Sequence, residues 1–228
     1  MKERPILFNG DMVRAVLSGQ KTQTRRVLKD PLDKTGGQYC VEHADDDPNM
    51  LVHIHSPKCE GYCDYVCSYP CPYGQPGDRL WVKETHARHP QFAEVAYRAD
   101  GEEFEDADGF TWHPKWTPSI FMPRALCRII LEITDIRVER VQNITSDGAI
   151  AEGAYEVRKV GDDIAHATWT MDGLDWRYDT PREAFAATWD SLYAARGLGW
   201  DVNPWVWVVT FKRVENQKCP KNKSPKIK

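Results

Sequence analysis

The chain has 228 residues, of which 41% are hydrophobic and 11% aromatic, enough to bury the core of one domain with insertions. Its net charge is −4; because residues 216–228 hold five lysines and no acid, residues 1–215 carry −9. A body this negative is expected to repel an extended nucleic-acid duplex, since phosphate binding depends on accumulated positive charge. A local basic pocket for one nucleotide is still compatible with this net charge. No run of sequence approaches the roughly 20 apolar residues of a membrane helix, and the start lacks a signal peptide's apolar stretch. We therefore expect a cytoplasmic protein with no membrane partner; the oligomeric state is left open.

The first predicted elements are a strand and a helix, followed by a turn that contains Lys21. After a short apolar strand, Asn9 or Asp11 can cap a helix. One face of this helix is apolar, formed by Met12, Val13, Val16 and Leu17. Gly19 supplies the left-handed residue that ends it. Residues 22–27 alternate like a strand, so Lys21 is predicted to lie in a helix-to-strand turn, where reactive groups are common.

The middle of the chain alternates between insertion and strand. Residues 29–76 are rich in Asp, Gly, Pro, His and Cys with little periodicity, which indicates an insertion. Strands are predicted over residues 79–84 and 94–99. The strongest strand pattern runs from Arg124 to Val141, with Asp135 marking a bend between two strands.

Two helices and a strand are predicted in the second half. Thr145 or Ser146 caps a helix that ends at Gly153. Residues 180–183, Thr-Pro-Arg-Glu, combine a cap, a proline in the first turn and a capping-box glutamate. The helix that they start is predicted to bury Phe185, Trp189, Leu192 and Tyr193. Residues 205–213 are apolar on both faces and are predicted to be a central strand.

These elements predict an α+β fold, a small mixed β-barrel with flanking helices. We expect one domain over residues 1–215, interrupted by the Cys-rich insertion 29–76 and by a second loop-rich insertion over 156–178. The basic tail, residues 216–228, is predicted to be disordered and to contact RNA weakly at most.

Five segments of the chain match one family pattern. They are Gly19-x-Lys21-Thr22-x-Thr24-x-Arg26, Pro76-Gly77-Asp78-x-Leu80-Trp81-Val82-x-Glu84, Met122-Pro123-Arg124-x-x-x-Arg128-Ile129, Ile144-Thr145-x-x-x-Ala149-x-x-Glu152-Gly153 and Asn203-Pro204-Trp205-Val206-Trp207. The series resembles the ASCH domain, a PUA-like family, and in this fuller form the ASCH proteins common in phages and prophages. The resemblance implies a PUA-like β-barrel.

One branch of that family consists of small bacterial amidohydrolases that remove the acetyl group from N(4)-acetylcytidine. Their reactive trio is a lysine, a threonine three residues later and a glutamate on a later helix, which match Lys21, Thr24 and Glu152 here. The resemblance therefore implies cleavage of an N-acylated pyrimidine nucleoside or modified nucleotide, with no organic cofactor.

The chemistry of these residue types agrees with that activity. A threonine hydroxyl attacks a carbonyl only after a base takes its proton, and lysine is such a base only if burial or a nearby cation lowers its pKa from about 10.4. Arg25 and Arg26 are cations close in sequence. Glu152 can protonate the departing amine or position water. Since residues three apart on a strand face opposite ways, Lys21 and Thr24 converge only if Lys21 precedes the strand.

Four residues are expected to bind substrate: Arg25, Arg26, Trp81 and Arg124. Arg26 would steady an oxyanion or the pyrimidine carbonyl, Trp81 would stack on the base, and Arg124 would line the groove. Other interpretations stay open. The protein could be a non-catalytic PUA-like reader of short RNA or modified bases, or a phage accessory protein that acts through protein contacts. Without its context, the segment from Lys21 to Arg26 is also typical of a solvated strand edge.

A run of cysteines in the first insertion suggests a metal site. Cysteines recur at every fourth position, as Cys59, Cys63, Cys67 and Cys71, with Cys40, His53 and His55 upstream. Seven cysteines in a cytosolic chain argue against a disulfide framework. Four thiolates suit tetrahedral zinc, with a structural role because a closed site leaves no open position for catalysis. Paired zinc ligands more often stand two residues apart, so free thiols in a flexible loop remain the alternative.

Overall fold

The structure is a computed structural model that describes residues 1–28, 40–43, 51–55, 67–89, 94–105, 109, 111–157, 168–171, 177–214 and 226–227. For residues 40–43, 51–55, 67–69, 105 and 226–227 the description covers the backbone alone.

The described residues form fifteen strands and three α-helices. The strands are β1 (Glu3–Leu7), β2 (Gln23–Val27), β3 (Cys40–His43), β4 (Leu51–His55), β5 (Cys67–Pro70), β6 (Arg79–Lys83), β7 (His86–Arg88), β8 (Val95–Tyr97), β9 (Phe104–Glu105), β10 (Thr111–Trp112), β11 (Ile130–Arg140), β12 (Tyr155–Val157), β13 (Thr168–Thr170), β14 (Trp205–Arg213) and β15 (Lys226–Ile227). The helices are α1 (Gly10–Leu17), α2 (Ser146–Glu152) and α3 (Pro181–Tyr193). No described helix is long and apolar enough to cross a membrane.

A five-stranded sheet in the order β1-β6-β11-β14-β2 is the centre of the fold. β1 pairs parallel with β6, and the other neighbours pair antiparallel. β14 lies between β11 and β2, so its prediction as a central strand is confirmed. The fold is α+β, but within the described part of the chain β1 and β2 are outer strands that do not pair with each other. Closure into a barrel therefore stays a prediction.

The sheet is apolar on both faces because successive side chains of a strand point to opposite sides. On β14, Trp207 and Val209 pack into the core cluster that contains Val13 of α1. Val206 and Val208 pack instead into the cluster that holds Ala149 of α2 and Phe185 of α3. β2, at the edge beside β14, consequently presents one row of side chains to α1 and the other to α2 and α3.

The predicted helix boundaries agree with the structure. The Asn9 side chain accepts a hydrogen bond from the Met12 amide at 2.8 Å, and Thr145 caps α2 in the same way. Thr180 and Glu183 form the predicted capping box of α3.

The prediction that Leu192 is buried is wrong, because its side chain is 38% exposed. Tyr193 takes its place in the apolar row of α3 by stacking on Trp189, with 4.3 Å between the ring centroids. Leu192 consequently lies at the rim of a surface cleft.

The strand predicted from Arg124 begins only at Ile130. Pro123 leads into a 3-10 turn over Arg124–Leu126, which breaks the alternation. Asp135 ends no strand: β11 runs through it, and its register against β14 shifts by one residue between Ile133 and Asp135, as at a β-bulge.

The two insertions and the tail contain strands that the sequence did not predict. β3, β4 and β5 form a three-stranded sheet inside residues 29–76, and β12, at the start of the second insertion, pairs with β13 inside it. In the tail predicted to be disordered, the structure describes only β15, which pairs antiparallel with β9.

Candidate active site and adjoining cleft

Lys21 lies in the predicted turn between α1 and β2. Gly19, with a φ of +80°, lets the chain leave α1, and the Lys21 amide donates to the Ala15 carbonyl at 2.9 Å. The next amide, that of Thr22, donates to the Ala151 carbonyl of α2 at 2.8 Å. The turn is therefore fixed at both ends, and Lys21 stands against the end of α2.

The ammonium of Lys21 pairs with Glu152, 131 residues away in sequence. Nζ donates to the carboxylate Oε2 at 2.6 Å and to the backbone carbonyl of Glu152 at 2.8 Å. The side chains are 1% and 5% exposed. Two of the three predicted reactive residues are thus in direct contact and shielded from solvent.

Arg25 holds the other side of the Glu152 carboxylate. Its Nη1 donates to Glu152 Oε1 at 3.1 Å, while Nε and Nη2 both donate to Glu139 Oε1, at 3.0 and 2.7 Å. We call Lys21, Arg25, Glu139 and Glu152 the Lys21 network. Sequence reasoning missed Glu139, because only the register of β11, β14 and β2 brings it near Arg25.

Burial lowers the pKa of Lys21 below its usual value. Glu152 opposes this shift, and the nearby guanidinium groups of Arg26 and Arg25 add to it. The neutral amine, the form that accepts a proton, is therefore populated at lower pH than for a solvated lysine.

Thr24 supplies a buried hydroxyl with no hydrogen-bond partner among the described residues. Its position on β2, opposite Val209, places it on the same face as Arg26. The Arg26 guanidinium lies 5.5 Å from the centroid of the Phe8 ring, and Lys21 Nζ lies 5.9 Å from the same centroid. The structure gives no hydrogen bond from Thr24 to Lys21; Val209, the partner of Thr24 on β14, packs in the same core cluster as Phe8.

The four predicted substrate-binding residues lie in different places. Arg25 is 2% exposed and belongs to the Lys21 network, where it donates a hydrogen bond to Glu152. Arg26 lines a surface cleft. Trp81 packs beside a separate core cluster, with Lys83 Nζ 5.5 Å from its ring centroid. Arg124 pairs with Glu3 on the surface at 3.0 Å. The roles of Trp81 and Arg124 stay predictions that these contacts do not support.

The cleft at Arg26 consists of two adjoining depressions of about 410 and 390 Å³. Both are lined by Leu7, Arg26, Tyr193 and Arg196. Phe8 lines one of them and also contacts Lys21. We call this surface the Arg26 cleft. Sequence reasoning missed Tyr193 and Arg196 as cleft residues, because they reach it only through the position at which α3 ends.

A second buried ion network lies around Arg128. Its guanidinium donates to both oxygens of Glu84 at 2.8 Å and to both oxygens of Asp100 at 2.6 and 2.8 Å. The guanidinium carbon also lies 4.0 Å from the Tyr97 ring centroid. Burial raises the pKa of Glu84, against the effect of Arg128. We call Glu84, Asp100 and Arg128 the Arg128 network.

The zinc prediction falls mostly outside the described residues. Cys59 and Cys63 lie there, and so does the side chain of Cys67. Cys71 is buried, and burial raises the pKa of its thiol to about 11, so binding zinc would have to displace that proton. The described residues contain no group of three or more metal-ligating side chains. Zinc ligation stays a prediction; a zinc-to-protein ratio near zero in protein produced with zinc supplied would remove it.

Comparison with known proteins adds one structural likeness. No protein-family model matches the chain, and no curated protein is significantly similar to it. The chain is similar to the crystal structure of an ASCH domain from Lactobacillus crispatus JV V101, at 13% sequence identity and a TM-score of 0.36. The match covers 93% of this chain and 79% of the other. Because the two backbones overlap only partly, we base the proposals below on contacts within this chain.

Proposed function

We propose that this protein is an amidohydrolase that cleaves the exocyclic amide of an N-acylated pyrimidine nucleoside or modified nucleotide. One observation carries the proposal: a buried lysine with a lowered pKa is held by Glu152, and three residues later a buried threonine hydroxyl has no described partner. A base, a nucleophile and a carboxylate are the groups that amide cleavage by a covalent route requires.

In the proposed first step, neutral Lys21 takes the proton of the Thr24 hydroxyl, and the oxygen attacks the carbonyl carbon of the amide. The tetrahedral intermediate then loses its carbon–nitrogen bond. Glu152, hydrogen-bonded to Nζ at 2.6 Å, relays the proton to the departing exocyclic amine. The pyrimidine leaves with its amino group restored, and the acyl group remains as an ester on Thr24.

In the second step, water replaces the pyrimidine. Lys21 takes a proton from the water, whose oxygen attacks the ester carbonyl, and the bond to the threonine oxygen breaks. That oxygen regains the proton, and a carboxylic acid leaves. The sum of the two steps is one amide and one water converted to one amine and one acid, with Lys21 and Thr24 returned to their starting states.

A non-catalytic reader of short RNA or modified bases is the second candidate. It is favoured by Arg26, which lines a cleft and makes no ion pair with any described carboxylate. In a reader, Arg26 would contact phosphate or base, and the Lys21 network would serve only to hold β2 on α2.

The test compares two threonines that lack hydrogen-bond partners among the described residues. The hydroxyls of Thr24 and Thr210 are both buried, and neither has a hydrogen-bond partner among the described residues. Thr24→Val removes the proposed nucleophile while keeping the shape, and Thr210→Val makes the same change away from it. With N(4)-acetylcytidine as substrate and cytidine followed by chromatography, Thr24→Val should lose at least about a thousandfold in turnover. Thr210→Val should match the unchanged protein.

Turnover that is equal in all three proteins would contradict the role of Thr24. If the unchanged protein does not cleave the compound or its 5′-phosphate, the amidohydrolase proposal fails. Binding of a short modified RNA that survives Thr24→Val and fades with Arg26→Gln would then identify a reader.

A further inference from the structure

The cationic side chains of the Arg26 cleft are unusual in a chain whose body is acidic. Arg26, Lys83 and Arg196 line the cleft, and no aspartate or glutamate lines it among the described residues. Residues 1–215 carry a net charge of −9, so a cleft whose described lining has no carboxylate differs from the rest of the chain. The cleft is a local positive site.

None of the three cations is neutralised by a described carboxylate. Arg26 donates instead to the backbone carbonyls of Arg25 and Leu7, at 3.1 and 3.0 Å. Lys83 donates to the Ile120 carbonyl, and Arg196 lies 5.9 Å from the centroid of the Tyr193 ring. Carbonyls and rings orient these cations without cancelling their charge, so the charge is left for a ligand.

Aromatic side chains line the same cleft beside the cations. Phe8, Tyr73 and Tyr193 contribute to its walls. Tyr193 stacks on Trp189 behind it, with 4.3 Å between ring centroids, so its ring is held in a fixed plane. The fixed ring of Tyr193, next to Arg26 and Arg196, forms a platform for a nucleobase with an attached phosphate.

Phe8 connects this platform to the proposed reaction site. Its ring lies 5.9 Å from Lys21 Nζ and 5.5 Å from the Arg26 guanidinium carbon. Because Phe8 is itself only 2% exposed, a ligand in the cleft would place its base against Tyr193, with its exocyclic amide directed toward the side of Phe8 and Lys21. Its phosphate would then lie toward the cations farther along the cleft.

We propose that the Arg26 cleft binds a phosphorylated mononucleotide, with Arg26, Lys83 and Arg196 as the phosphate-selecting residues, so that a nucleotide is preferred to the free nucleoside. The proposal rests on the proposed function for the direction of the base, but the phosphate selection stands by itself. A mononucleotide fits better than RNA, because the acidic surface beyond the cleft would repel a continuing chain of phosphates.

The first experiment measures binding without turnover. Calorimetric titration of the full chain with cytidine 5′-monophosphate and with cytidine should give at least about tenfold tighter binding of the monophosphate, and the difference should shrink as salt rises. Arg196→Gln and Lys83→Gln should each remove most of this difference and leave cytidine binding unchanged. Arg98→Gln is the matched control, since Arg98 is exposed and pairs with Glu102 at 2.8 Å. It should behave like the unchanged protein.

Three results would overturn the cleft assignment: equal affinity for nucleotide and nucleoside, equal loss of both in the variants, or tighter binding of a cytidine tetranucleotide than of the monophosphate. The last result would identify RNA as the ligand. The amidohydrolase proposal fails separately. If the monophosphate binds as expected and neither N(4)-acetylcytidine nor its 5′-phosphate is cleaved, the cleft assignment stands without it.

Discussion

The Lys21 and Arg128 networks both pair basic side chains with carboxylates, but the pKa of the central cation is shifted in opposite directions. In the Arg128 network, one guanidinium serves two carboxylates with four hydrogen bonds, and these bonds raise the pKa of Arg128 above its usual value although burial opposes its charge. In the Lys21 network, two cations share two carboxylates, and the pKa of Lys21 is lowered. The Arg128 network keeps its arginine protonated, whereas the Lys21 network favours the neutral form of its lysine, which can accept a proton.

A buried hydroxyl marks the second difference. Thr24 lies on the face of β2 that packs toward the core cluster of Phe8, and its oxygen has no hydrogen-bond partner among the described residues. The polar atoms of the Arg128 network are paired with each other. An unpaired buried polar atom costs stability, and in the proposed mechanism this one is the nucleophile. The comparison teaches that the number of ion pairs around a cation does not by itself predict the direction in which its pKa is shifted.

The largest expected effect separates the networks by stability. Arg128→Met leaves Glu84, 1% exposed in its side chain, without its cation partner. We expect a loss of about 3–5 kcal/mol in the free energy of unfolding, measured with urea, because an uncompensated buried charge remains. Turnover per folded molecule should stay unchanged. A loss of turnover with full stability would mean that the Arg128 network is also reactive.

Lys21→Met should cost less stability, because Glu152 keeps Arg25 as a partner at 3.1 Å. The expected loss is about 1–3 kcal/mol, the cost of leaving one oxygen of a buried carboxylate unpaired. Turnover should fall to background, since no base remains. Stability and turnover are measured on the same preparation; a stable variant with unchanged turnover would place Lys21 with the structural residues.

The pH dependence of the rate tests the lowered pKa of Lys21. The neutral amine is the proposed base, and its fraction rises with pH, so kcat/KM should rise through a midpoint below the 10.5 of an ordinary lysine. Arg26→Gln removes one of the cations that lower this pKa, so the midpoint should move to higher pH. A midpoint that stays in place in Arg26→Gln, or one that lies above 10.5 in the unchanged protein, would contradict the assignment.

The smallest expected effect concerns the unpaired hydroxyls. Thr24→Val and Thr210→Val each replace a buried oxygen that has no described partner with a methyl group. Each should raise the free energy of unfolding by about 1 kcal/mol, which urea titration can resolve. Only Thr24→Val should lose turnover. If Thr24→Val is destabilised while Thr210→Val is stabilised, the Thr24 hydroxyl is hydrogen-bonded in the folded protein.

The local parts of the fold could be predicted from the sequence, because their causes are local. Caps at Asn9, Thr145 and Thr180 act within one helical turn, and Gly19 leaves its helix through a positive φ that few other residues adopt. The position of Lys21 before β2 followed from the same reasoning. The pairing of Lys21 with Glu152 came from a family resemblance and not from these local signals.

The parts that could not be predicted depend on register and on competing local signals. Glu139 approaches Arg25 only because β14 sets the offset between β11 and β2. Arg196 reaches the cleft because α3 passes into a 3-10 turn before Gly197. At Arg124 the alternating pattern is typical of a strand, but the chain forms a 3-10 turn there because Pro123 precedes it. The spacing of apolar side chains along the sequence predicts none of these three features.

The position of β2 has a consequence for the protein during its synthesis. β2 lies at one end of the central sheet, and its described ladder partner is β14, which is made long after it. At ordinary rates of translation, the ribosome needs roughly 10 to 35 seconds to extend the chain from one strand to the other. Throughout that interval the segment with Lys21 and Thr24 has no strand to join. A chain cut short before residue 205 would therefore carry every proposed reactive residue and still lack the strand that holds Thr24 in place.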